Sequence, residues 1–111
     1  MRIITLATLL LSLAFTGCQN TQPTEQELDE AITTLEKSEK VLGTYIDRLE
    51  SEFTDENLRV QILCKDYPRE YEKNYMPNLL KLSLGEYSEA VLLADMDLVL
   101  DHYKEKDAIQ C

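Results

Sequence analysis

Tryptophan is absent from this 111-residue chain, histidine occurs once, and glycine and proline occur three times each. With three glycines there is no room for a Gly-rich phosphate-binding loop, and so few turn-forming residues disfavour architectures built from many short strands. Basic residues are scarce too: 11 Lys and Arg stand against 21 Asp and Glu, for a net charge of −10. Those beyond residue 17 are scattered from Lys37 to Lys106 and gather into no basic patch, so a polyanion such as nucleic acid is repelled. Nucleophilic catalysis would depend on His102, which no motif frames and which lies in an apolar run beside Tyr103, where a packing or surface role is the better reading.

What the sequence does have begins at its start. Arg2 is followed by an apolar run from Ile3 to Phe15, 13 residues broken only by Thr5, Thr8 and Ser12. As a helix this run would extend ~20 Å against roughly 30 Å of bilayer hydrocarbon, too short for a comfortable span and the right length for the apolar core of a secretory signal. Removing residues 1–17, whose one charge is Arg2, takes the net charge from −10 to −11.

The run ends in Leu13-Ala14-Phe15-Thr16-Gly17-Cys18. This resembles the lipobox of bacterial lipoproteins: an apolar residue, a small or hydroxyl residue, a small residue, then cysteine, with Phe15 departing from the usual aliphatic choice. The resemblance implies diacylation of the Cys18 thiol, cleavage after Gly17 and acylation of the new amino group. Several acyl chains, at ~0.8 kcal/mol per buried CH₂, hold a protein on its membrane where one chain alone would be marginal. Gln19 after the cysteine, in place of the Asp that favours inner-membrane retention in enteric bacteria, implies the periplasmic face of the outer membrane. Residues 18–23 then form the lipidated cysteine and a short polar tether, and at ~3.5 Å per residue the five positions from Gln19 to Pro23 reach under about 20 Å.

Residues 24–111 read as one all-α domain, a small bundle of three to four helices. Thr24 and Glu27 have capping-box spacing and open a helix whose apolar positions are Leu28, Ile32, Leu35, Leu42, Ile46, Leu49 and Phe53, with Glu39 in the slot the pattern reserves for an apolar residue. The near-heptad repeat admits a coiled-coil dimer, but the apolar faces elsewhere in the chain favour burial within one molecule. The segment Leu58 to Cys64 fits either period. Because a single strand would have no partner, helix is the preferred assignment. Pro68 is placed to begin a third helix and Pro77 to kink or restart it. Ser83 and Glu86 repeat the capping-box spacing before a last helix through Tyr87, Val91, Ala94, Leu98 and His102, broadened by Leu92, Leu93, Met96, Val99, Leu100 and Tyr103. Its hydrophobicity wraps so widely that the last helix is expected at the centre of the bundle.

Apart from Cys18, the cysteines are Cys64 and Cys111. In an oxidising periplasm an even pair in a small domain reads as one structural disulfide; a redox-active pair lacks the C-x-x-C spacing, and an intermolecular bridge is the other alternative. Asp95, Asp97 and Asp101 lack the glycine and ligand cadence of a calcium loop, so a solvated acidic face is preferred and no metal or cofactor is expected. Tyr67, Tyr71 and Tyr75 recur every four residues and are the candidate partner interface; the alternative is that their rings pack on the bundle with hydroxyls at its rim.

These readings converge on an outer-membrane-anchored periplasmic lipoprotein that works without catalysis, by binding another envelope protein. The layout resembles that of helical pilotin lipoproteins, which escort secretins, and exclusion or immunity lipoproteins share the same features. A carboxylate-based envelope hydrolase is the enzymatic alternative, and a helical domain of this size has little room for the deep pocket it would need.

Overall fold

The computed structural model describes residues 23–111, so Cys18, the expected signal segment 1–17 and nearly all of the expected tether lie outside the described residues. Three helices in an up-down-up order make up the domain, with no strand among the described residues. Helix α1 is Glu25–Glu50, α2 spans 56–83 and α3 is Glu89–Asp107. Each starts at a residue whose side-chain oxygen accepts an amide that the first turn leaves free: Thr24 Oγ1 from Glu27 N at 3.2 Å, Asp55 Oδ1 from Leu58 N at 2.8 Å, and Ser88 Oγ from Val91 N at 3.2 Å.

The expected start of the last helix at Ser83 is corrected to Ser88. Leu84 and Gly85 both take left-handed backbone angles, φ 50° and φ 95°, which end α2 at Ser83 and turn the chain, so the Ser83–Glu86 spacing closes one helix instead of opening the next. The expected break around Pro68 and Pro77 is also corrected: α2 passes both prolines without interruption. The turn before each is widened into a π-helical turn, Ile62–Asp66 and Tyr71–Tyr75, with Tyr67 N–H donating to Ile62 O and Met76 N–H to Tyr71 O, five residues back. A proline ring crowds the carbonyl four residues before it, and the wider turn draws that carbonyl aside, so the helix continues where a regular one would break.

Helix α2 is the centre of the molecule. Leu49 of α1 and Ile62 and Leu63 of α2 have no solvent exposure, and Tyr67, Tyr71 and Met76 extend this core along α2. Leu92, Met96, Leu100 and Tyr103 cover it from α3. The expectation of a central last helix therefore fails: α3 lies on one side of α2 and leaves Leu98 70% and Val91 51% exposed. Phe53, expected to end the α1 stripe, stands in the loop after the helix with 96% of its surface in solvent.

On α1 the buried line runs through Ala31, Ser38, Leu42 and Leu49, while Ile32 faces out. Small residues in the N-terminal half of this line let α2 approach closely. Ser38 Oγ is buried there without a hydrogen-bond partner among the described residues. Ser38→Ala removes an unsatisfied hydroxyl and raises helix propensity, and we expect it to raise unfolding free energy by about 1 kcal/mol, read as a higher urea midpoint with unchanged slope. A lower midpoint would mean that the hydroxyl is satisfied in solution.

The end where α1 meets α2 is closed by more than packing. Cys64 and Cys111 form a disulfide with Cα atoms 5.5 Å apart, pinning the tail on which Ile109 is buried. Arg59, Tyr103 and Lys106 add polar bonds at the same end: the Tyr103 hydroxyl donates to Glu50 Oε1, and Lys106 Nζ lies 3.6 Å from Glu50 Oε2. The Tyr103 hydrogen bond, with the Lys106 ammonium beside it, holds the Glu50 carboxyl below the usual carboxylate range.

Candidate functional site

Because α1 and α3 both run antiparallel to α2, they lie side by side along it, and a groove of about 440 Å³ opens between them. Its floor is α2: Tyr67, Tyr71, Tyr75 and Leu79. One wall is α1, with Glu39, Gly43 and Ile46; the other is α3 and the loop before it, with Tyr87, Asp95 and Val99.

The spacing of the tyrosines makes the floor continuous. In a regular helix, steps of four residues drift by about 40° around the axis. The step from Tyr71 to Tyr75 falls in a π-helical turn, whose longer repeat offsets the drift. Tyr67 and Tyr71 stack with centroids 6.3 Å apart, and Tyr71 and Tyr75 meet at 4.8 Å. Tyr45 of α1 joins the row, its ring 6.5 Å from Tyr67. The candidate interface named from the sequence is thus divided. Tyr67 and Tyr71 are each only 6% exposed and belong to the core, Tyr75 is half-buried, and all three line the groove.

The hydroxyls differ in the same way. Tyr71 Oη donates to Leu92 O at 2.8 Å, tying α2 to α3, whereas those of Tyr67 and Tyr75 have no hydrogen-bond partner among the described residues. Burial first, then the negative charges of Glu39 and Asp95 and the Tyr87 hydroxyl, raises the Tyr75 pKa, so residues from both walls converge on this one phenol. Burial pushes Tyr71 up to about 12, and burial together with the Glu50 hydrogen bond does the same for Tyr103. An unfolded tyrosine ionises near 10, so these two groups contribute their full stabilisation below about pH 10 and lose it as pH rises toward 12. We expect the melting temperature to fall across that window and the fall to be shallower in Tyr71→Phe and Tyr103→Phe, followed by thermal melts with phenolate absorbance. A melting temperature flat to pH 12 would contradict the raised values.

The walls carry a different signal, one that apolar periodicity does not pick out. Glu39, which breaks the apolar pattern of α1, is exposed on one wall and Asp95 is exposed on the other, and neither has an ion pair among the described residues. Gly43 lies mid-helix with nothing within 4 Å of where a Cβ would stand, so no neighbour requires a glycine. Beyond the α3 wall, Val91, Ala94 and Leu98 continue as an exposed apolar stripe, and Tyr87 is 44% exposed at its head. This stripe matches the apolar series read from the sequence, but it faces solvent.

The other sequence candidates do not join the groove. His102 is exposed, its ring edge-on to that of Tyr103 with centroids 4.8 Å apart. Asp97 and Asp101 are exposed, and no group of three or more His, Cys, Asp or Glu among the described residues is placed to hold a metal ion. No described helix is long and apolar enough to cross a membrane. Comparison with protein-family models, curated proteins and solved structures finds no match to this chain.

Proposed function

We propose that this chain is a lipoprotein of the bacterial envelope, anchored through Cys18 at the periplasmic face of the outer membrane, that acts by binding another envelope protein in the groove between α1 and α3. The observation that carries the binding reading is the groove itself: a tyrosine floor, two phenols without hydrogen-bond partners among the described residues, and a neighbouring apolar stripe left in solvent. The groups in its lining able to move a proton are Glu39, Asp95 and the tyrosines, and both carboxylates lie exposed on opposite walls with no cysteine, serine or lysine nucleophile in the lining beside them. Aromatic rings with polar tips suit a protein contact. Pilotin, exclusion and immunity lipoproteins are binders of this general kind.

The tether sets where the partner is met. The groove begins at Glu39, 15 residues along the chain from Thr24, so it lies ~20 Å up the helix from the anchored end, within reach of a protein seated in the same membrane.

Two measurements test this. Mass spectrometry of the protein from its native envelope should find acyl chains on Cys18, and an unacylated product would remove the membrane assignment. A photo-crosslinking residue at Val91 should capture one envelope protein, and Tyr87→Ala should reduce that capture several-fold while changing stability by under about 0.5 kcal/mol, as exposed positions do. Tyr71, being core, is unsuited to this test. Absence of any crosslink from Val91 would end the binding reading for this face.

A further inference from the structure

We propose that the occupant of the groove is a basic amphipathic helix: a segment of the partner with an apolar stripe on one side and Lys or Arg along its flanks. This rests on the binding reading above and adds the chemistry of what is bound.

Shape comes first. The groove runs parallel to two helices, and its α1 wall from Glu39 to Ile46 spans seven residues, ~10 Å of rise, which is the distance between anchors at i and i+7 on a docked helix. A helix lying there would rest apolar side chains on Tyr75 and Leu79 and cover Val91. It would complete a four-helix arrangement from a three-helix one.

Charge selects among helices. The only formal charges in the groove lining are Glu39 and Asp95, one on each wall, so an incoming helix meets a carboxylate on both flanks. Neither is neutralised by an ion pair among the described residues, and the whole chain carries −10. Two copies of this chain would bring like charges together at this face, which disfavours self-association through it. A helix with Lys or Arg on both flanks is drawn in, faster at low salt.

Gly43 is the third observation. A glycine inside a helix weakens it, and here an alanine Cβ would meet nothing. The position opens onto the groove, so its bare backbone leaves room for an incoming helix at mid-length of the α1 wall.

The test uses the purified full chain and three synthetic 18-residue peptides: one with Leu at i, i+3, i+4 and i+7 spacing and Lys elsewhere, one with Glu in place of Lys, and one scrambled from the Leu/Lys composition. Amide chemical shifts report where each binds. The expected result is that the ordered Leu/Lys peptide shifts Gly43, Tyr87 and Val91, that the Glu version binds at least tenfold more weakly, and that the scrambled one leaves the groove unshifted. Glu39→Gln with Asp95→Asn should weaken the ordered peptide about tenfold, and Gly43→Phe should block it while the shifts of the Leu63 region stay in place.

Equal binding of the Glu peptide, shifts confined to the outer face at Asp97 and Asp101, or indifference to Glu39→Gln with Asp95→Asn would overturn the proposal. So would sedimentation as a dimer whose Val91 crosslinks to a second copy. In the envelope, a Val91 crosslink to an acidic or extended segment of a partner would sink the basic helix and leave the binding reading standing; no crosslink at all would remove both.

Discussion

Arg59→Ala should destabilise the fold by about 3 kcal/mol, a large effect for one side chain away from the apolar core. Arg59 Nε donates to Thr54 O at 3.0 Å, and Nη1 donates to Leu49 O at 2.9 Å and to Asp107 Oδ2 at 3.0 Å; Nη2 donates to Ser51 O. Its side chain is 13% exposed and that of Asp107 19%, so both charges have given up most of their water. One guanidinium thereby satisfies carbonyls at the end of α1, holds the 51–55 loop and fixes the end of α3. Alanine leaves three carbonyls and a carboxylate without their donor. Arg59→Lys should recover less than half of the loss, because an ammonium lacks the planar fork that reaches several acceptors at once. Urea titration of the three proteins measures this; a loss under about 1 kcal/mol for alanine would show that water replaces the guanidinium easily.

Removing the disulfide should cost about 4 kcal/mol. The bond joins residues 47 apart in sequence, and closing a loop of that length restricts the unfolded chain by this amount in the chain-entropy account. Total stability for a domain of this size is on the order of 5–10 kcal/mol, so Cys64→Ser with Cys111→Ser leaves a marginal fold. Ile109, 6% exposed, should become accessible as the tail frays, visible as faster amide exchange there than at Leu63. A melting temperature unchanged by the double substitution would show that the helices hold the tail unaided. Asp107 and Cys111 hold the same end of α3, so Arg59→Ala and loss of the disulfide should be non-additive.

What the sequence revealed was mostly local. The helix cap at Thr24, the disulfide pair and the all-α class follow from interactions within a few residues or from counting cysteines. Helix order in space was not legible. The apolar width of α3 pointed to the centre, yet a broad stripe fits a helix buried all round and also a helix with one face on a core and another left in solvent. Leu98 and Val91 distinguish the two only once α2 is in place. The prolines misled for a related reason: Pro68 and Pro77 disfavour a regular helix, and a π-helical turn is an alternative that no residue pattern near them announces. For the groove, tyrosine periodicity found the floor and missed the walls, because Glu39 and Asp95 lie 56 residues apart and only packing sets them opposite each other.

Apart from the Tyr71 hydrogen bond to Leu92, the long-range fastenings described, Arg59 to Asp107, Tyr103 and Lys106 to Glu50, and Cys64 to Cys111, sit at the pole where α1 hands over to α2. The opposite pole, where Pro23 leads in and Leu84 turns the chain, relies on packing and on the Tyr71 hydrogen bond. The covalent and ionic ties are thus concentrated at one pole, while at the other α1 is held by the close packing of Ala31 and Ser38. Separating the helices at that second pole would break packing and the Tyr71 bond but none of the ties at the first, so amide exchange should be faster around Ala31 than around Leu63.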